Sequence, residues 1–150
     1  MLYAASLDGA RLAGADLTDA RMGVARLSRS DLSKAILRNV DLRKARLAEA
    51  IITGADLDRA ALDFVFMHGA QLSGARLRGT RLTGAEAVDA SLSGADLSEA
   101  DASGANFRRA DLSHALLAGT NFRRANLYET RLDDAVFRDT VMPDSTVRGP

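Results

Sequence analysis

The chain has 150 residues, no cysteine, and 20 Lys and Arg set against 20 Asp and Glu. One domain of this length can bury a substantial core, and zero net charge excludes both bulk attraction to polyanions and bulk acidic mimicry. The missing cysteine removes disulfides, thiolate metal sites and Cys nucleophiles together, and fits a reducing, cytoplasmic compartment.

From Leu2 onward the pattern is uniform. Every fifth residue through to Val147 is Leu, Met, Phe, Ile, Val or Ala. Two residues before each stands a second small residue, almost always Ala between Ala5 and Ala135, with Ser30, Val40, Val65 and Thr80 among the exceptions. The opening residues lack the basic flank and apolar run of a signal peptide, and no segment approaches the ~18 apolar residues of a membrane span. The repeat frame runs from the first residues without a preceding cap, so a cap, a neighbouring domain or a second copy is expected to cover the unpaired edge of the first coil.

A step of five turns an α-helix by about 500°, which scatters the apolar positions around its circumference. A continuous strand fails too, because five is odd and successive Leu would alternate between faces. The period therefore includes a corner. If Ala and the Leu two residues later share an extended triplet, both point one way, and the remaining two residues turn the chain. Glycine agrees: all but Gly23 fall on the second residue after the Leu, where a corner needs unusual backbone angles. The period of five thus predicts a closed solenoid over 1–150, with an irregular tail from about 143, where Pro143 breaks the pattern.

Blocks such as Ala55-Asp56-Leu57-Asp58-Arg59, Ala95-Asp96-Leu97-Ser98-Glu99 and Ala125-Asn126-Leu127-Tyr128-Glu129 repeat through essentially the whole chain. They resemble the A-[D/N]-L-x-x unit of the pentapeptide-repeat family. That resemblance implies an all-β fold, a right-handed quadrilateral β-helix with four units per coil. About seven and a half coils, one strand spacing apart, make a rod roughly 36 Å long. Residues twenty apart should then stack, which puts the small Ala87 and Ala102 beneath Phe107 and Phe122 and Leu117 beneath Phe137.

In chain order, the outward positions depart from the repeat at a few places. Arg21, Arg26, Arg29, Lys34, Arg38, Arg43, Lys44 and Arg46 form a basic band, interrupted only by Asp31 and Asp41. Arg21, Arg26, Arg29, Arg43, Lys44 and Arg46 are its candidate patch for an acidic partner or phosphates. Ile36, Ile51 and Leu116 are apolar intruders in outward slots. In Phe64-Val65-Phe66 two outward Phe flank an inward Val, which marks a docking corner. A column of Ser33, Thr53, Ser73, Ser93 and Ser113, flanked by Gly54, Gly74 and Gly94, predicts a flat face. Glu86, Asp89, Asp96, Glu99 and Asp101 form an acidic band without Lys or Arg between Leu82 and Phe107. Val136, Phe137, Val141 and Met142 enrich the last coils in apolar groups; with the resemblance they imply a homodimer through the C-terminal coil.

Chemistry is sparse. His68 and His114 fall on different faces and coils, no Ser/His/Asp set converges, and no phosphate-binding glycine loop occurs. Asp16, Asp31, Asp41, Asp56, Asp96, Asp101 and Asp111, each just before the residue in the Leu slot, suit surface hydrogen bonding. The sequence predicts no enzyme, no metal and no cofactor. It predicts a rigid scaffold that binds another protein, without direct nucleic-acid binding. The resemblance supplies an alternative, a DNA-mimicking inhibitor or protector of a type II topoisomerase such as gyrase. That role wants an acidic stripe along the axis, and the face bearing Asp16, Asp56 and Asp96 is interrupted by Ile36, Arg76 and Leu116.

Overall fold

A computed structural model describes residues 2–149 and shows how the five-residue unit closes. The residue between each Ala and Leu forms a parallel bridge to the residue twenty positions on, from Ser6↔Arg26 to Asn121↔Val141. Four units therefore complete one turn. Up to Phe122 the N–H of each Leu-slot residue donates to the carbonyl nineteen residues ahead, as from Leu7 to Arg26, and each bridging N–H from Arg26 on donates back to the carbonyl of an Ala-slot residue, as from Arg26 to Ala5. The chain is a quadrilateral β-helix.

We label its four sides by their outward central residues. Side A carries Arg26, Arg46, Phe66, Glu86 and Asn106; side B carries Asp31, Ile51, Gln71, Ser91 and Asp111; side C carries Ile36, Asp56, Arg76, Asp96 and Leu116; side D carries Asp41, Ala61, Arg81, Asp101 and Asn121. Corners are named by the sides they join.

Each corner is a two-residue turn closed by the next Ala N–H on the Leu carbonyl, as from Ala10 to Leu7 at 3.0 Å. Its second residue is left-handed throughout, with φ between 49° and 69° from Ala4 to Asp139. This explains why glycine gathers there, since a Cβ makes that region costly. The first turn residue contributes an N–H that takes no part in the ladder. Asp or Asn two residues earlier accepts it, as in Asp31 to Ser33 at 3.0 Å, Asp96 to Ser98 at 3.0 Å and Asn126 to Tyr128 at 3.0 Å. That bond gives the polar residue before Leu its physical role.

Inside, Ala and Leu from all four sides form one core, fully buried from Met22 to Phe122. The Phe107 and Phe122 rings meet edge to face at 5.8 Å, filling space left by the small Ala87 and Ala102 one coil earlier. Polar residues in the Ala slot bond within the wall: the Ser30 hydroxyl donates to Leu27 O, the Thr80 hydroxyl to Leu77 O and the Thr120 hydroxyl to Leu97 O. Among the described residues no buried side-chain nitrogen or oxygen lacks a partner.

The strand content differs from an all-β expectation. A triplet between corners pairs through one residue per neighbour, too short for a continuous strand, so the only two named strands are β1 (Thr140–Val141) and β2 (Val147–Arg148) among the described residues. They pair antiparallel as a hairpin that ends the repeat. Val147 continues the numerical period but leaves the core, at 64% exposure, because the turn through Pro143–Thr146 reverses the chain.

Candidate docking surface

Stacking at twenty residues unites features that lie far apart in the sequence. Corner D/A is a ladder in which Val24 N–H donates to Arg43 O, Lys44 N–H to Asp63 O, Phe64 N–H to Thr83 O and Gly84 N–H to Ser103 O. Phe64 is 52% exposed on this corner, and Phe66, 45% exposed, stands beside it on side A directly next to Arg46. The docking corner and the basic patch are thus one surface. Arg26 and Arg46 lie on side A, Arg43 and Lys44 on corner D/A, Arg21 on side D and Arg29 on corner A/B.

A cleft of about 430 Å³ opens along this corner, lined by Tyr3, Gly23, Val24, Arg43, Lys44, Asp63 and Phe64, with Asp41 and Arg81 reaching it from side D. A Cβ at Gly23 would come to 3.2 Å of the Tyr3 ring, so glycine lets that ring lie close against the corner. Phe64 bends toward the next coil and lies over Gly84, where a Cβ would meet its ring at 2.6 Å. Tyr3 and Val24 carry no signal in a linear reading, and Gly23 only as the glycine out of corner position. They emerge only when positions 3, 23, 43 and 63 are read as one column.

The carboxylates of the cleft are occupied. Arg43 donates to both oxygens of Asp41, at 2.9 and 2.7 Å, and Arg81 donates to Asp63 through Nε at 3.1 Å and Nη2 at 2.6 Å. The bond from Arg43 holds the Asp41 carboxyl below its ordinary range, against a smaller opposing effect of burial. The bond to Asp63 raises the Arg81 guanidinium further. The guanidinium of each pair stays in contact with solvent, so the pairs orient the carboxylates more than they stabilise the fold. Lys44 and Arg46 make no ion pair among the described residues and remain for a partner, whereas Arg26 is held by Asp8 at 2.6 Å.

The other sequence candidates do not join this surface. Ile51 projects from side B, and Ile36 and Leu116 from side C, four coils or about 19 Å apart. The acidic band runs around the rod and is internally engaged: Glu86 accepts from Asn106 at 2.9 Å, Asp89 pairs with Arg109 at 2.6 Å and Asp101 accepts from Asn121 at 3.1 Å. His68 and His114 occupy corners A/B and B/C. Of the apolar end residues, Val136 faces outward on side C and Val141 pairs with Asn121, while the Arg148 guanidinium stacks 4.4 Å above the Phe137 ring. The hairpin therefore covers part of the last coil.

Comparison with known proteins agrees with this geometry. The family model for pentapeptide repeats (8 copies) matches residues 2–23, 25–63, 41–79, 75–113 and 105–142. The chain belongs to the pentapeptide-repeat family, whose fold is a right-handed quadrilateral β-helix. Similar solved structures include HetL, a pentapeptide repeat protein involved in heterocyst differentiation regulation in the cyanobacterium Nostoc sp. strain PCC 7120. It is 25% identical over 95% of this chain and 91% of its own, with a TM-score of 0.42. A pentapeptide repeat protein of the Arabidopsis thaliana thylakoid lumen is 27% identical over 69% of this chain and 66% of its own, with a TM-score of 0.48. Full-length QnrB1, a plasmid-mediated fluoroquinolone resistance protein, is 20% identical over 84% of this chain and 74% of its own, with a TM-score of 0.46. No curated protein matches the chain.

Proposed function

Starting from that family membership, we propose that the chain is a non-catalytic protein-binding or scaffold module of the cytoplasm. In this reading a rod of about seven and a half coils holds one basic, aromatic docking surface in fixed register. The observation that carries the reading is the pair Phe64 and Phe66, both exposed and both beside cations, in slots that the repeat fills mostly with polar residues or glycine. Neither Phe serves the core, and an Asp at position 66 would have satisfied the next turn instead. No helix of the described residues is long and apolar enough to cross a membrane.

An affinity pull-down from the source cell tests the reading, with Phe64→Ser/Phe66→Ser as the paired control. Loss of a captured protein in the double variant, with unchanged thermal unfolding, supports it; identical capture removes this surface from consideration. Self-association through the last coil belongs to the same proposal, because Leu127, Leu132 and Phe137 are only half-buried there. Light scattering should show a dimer, and a monomer at high micromolar concentration excludes it. The topoisomerase alternative is decided separately by a gyrase supercoiling assay. Inhibition or poison protection at low micromolar protein would put it first.

A further inference from the structure

The decoration of corner D/A has a spacing, and we infer from it that the corner binds, lengthwise, an extended acidic segment of a partner protein. The segment carries two carboxylate side chains about six residues apart, with an aromatic or large aliphatic side chain between them on the same face, about two residues from one and four from the other. This rests on the protein-binding reading and specifies the chemistry of the partner.

The ladder sets the ruler. Lys44 and Arg124 occupy the same corner slot four coils apart, about 19 Å at one strand spacing per coil, and an extended peptide advances about 3.3 Å per residue. Lys44, Arg123 and Arg124 make no ion pair among the described residues, so both ends of this track present unneutralised cations. Between them the ring of Phe64 lies over Gly84, at the midpoint. Gly84 and Gly104 leave the track beyond the ring without side chains, and a second depression of about 470 Å³ there is bordered by Ser103, Arg123 and Arg124.

The backbone supplies an independent observation. Phe64 and Val24 have φ of 55° and 59° in the left-handed slot, where bulky and β-branched residues are least at ease. Both line the same cleft. Strain tolerated twice at one site, on the solvent side, points to a use outside folding. A nucleic-acid strand suits the track less well, since it brings a charge with every nucleotide and would pass Asp63 on the corner and Asp41 and Asp101 on side D.

The probe is a fluorescent heptapeptide with Asp at both ends, Phe at the fifth position, on the same face as both Asp, and Ser elsewhere, followed by anisotropy against the full chain. It should bind, and binding should weaken at least about tenfold in Phe64→Gly and in Lys44→Glu/Arg124→Glu. A peptide of the same composition with the two Asp moved next to Phe should lose a similar factor. Phe64→Gly keeps the backbone, because glycine adopts the same φ one coil further on at Gly84, and its thermal unfolding verifies this. Equal binding of both spacings, no loss in Phe64→Gly, or tighter binding of an oligothymidine than of the heptapeptide each overturns the inference. If the heptapeptide fails while Phe64→Ser/Phe66→Ser still abolishes capture in the pull-down, only the stated segment chemistry falls. If both fail, the docking reading falls with it.

Discussion

Corners D/A and B/C lie diagonally across the rod and share one backbone. Both have left-handed second residues, and both donate from that residue to the coil ahead, as Lys44 does to Asp63 and Lys34 to Thr53. Their surfaces nevertheless differ. Corner B/C carries Ser33, Thr53, Ser73 and Ser93 beside Gly54, Gly74 and Gly94, and a Cβ at Gly74 or Gly94 would meet nothing within 4 Å. Corner D/A carries Tyr3, Val24, Lys44, Phe64 and Arg124. The period dictates the path of the chain and leaves the outer side chains free, so specificity resides where one corner stops resembling its opposite.

The comparison holds only while one core supports both corners. Phe122→Ala should cost about 3–5 kcal/mol, because the ring is fully buried against Phe107, and urea unfolding should record it. A loss below about 1 kcal/mol would mean that the core is not shared as tightly as its burial implies.

Next in size are alanines at matched glycines. Gly94→Ala should cost about 1–2 kcal/mol for the left-handed Cβ alone. Gly84→Ala should cost more, since its Cβ also displaces the Phe64 ring. Equal unfolding midpoints would show that the ring has no preferred seat, and would break the distinction between the corners.

The reverse change sharpens it. Val24→Gly should stabilise by about 0.5–1 kcal/mol and Lys34→Gly, on corner B/C, by less, because a β-branched residue is worse placed at positive φ than an unbranched one. Thermal unfolding of the two variants in parallel decides the order.

The smallest effect is in acid. The Ser33 hydroxyl and N–H lower the pKa of Asp31, and Arg43 lowers that of Asp41. A folded pKa below the unfolded one gives stability present above about pH 4 and lost as pH falls through the folded value. Asp31→Asn and Asp41→Asn should both flatten this limb. Molar salt should shrink the Asp41 contribution and spare that of Asp31, since only the former rests on a charge pair. Equal salt sensitivity would contradict the assigned causes.

The inward residues, the glycine corners and the stacking of Phe107 and Phe122 over small partners are legible in the sequence because each follows from a period of five or of twenty. Phe64, Phe66 and the basic residues are legible singly, as breaks in that period. Their union is not, because it depends on Tyr3, Val24, Lys44 and Phe64 falling on one corner across some sixty residues of chain. The end of the repeat is legible at Pro143, but the hairpin is not, because Val147 keeps the period by number after Pro143 has turned the backbone away.

Bridges that join residues twenty apart make the molecule a digital object. Inserting twenty residues of repeat between Gly84 and Arg124 would lengthen the rod by one strand spacing and leave every side chain on its side. Inserting five would instead rotate everything downstream by a quarter turn, carrying Arg123 and Arg124 off the corner that holds Lys44 and Phe64 while preserving every core slot. Evolution of such a chain can therefore change reach and facing in separate steps, neither of which disturbs the fold.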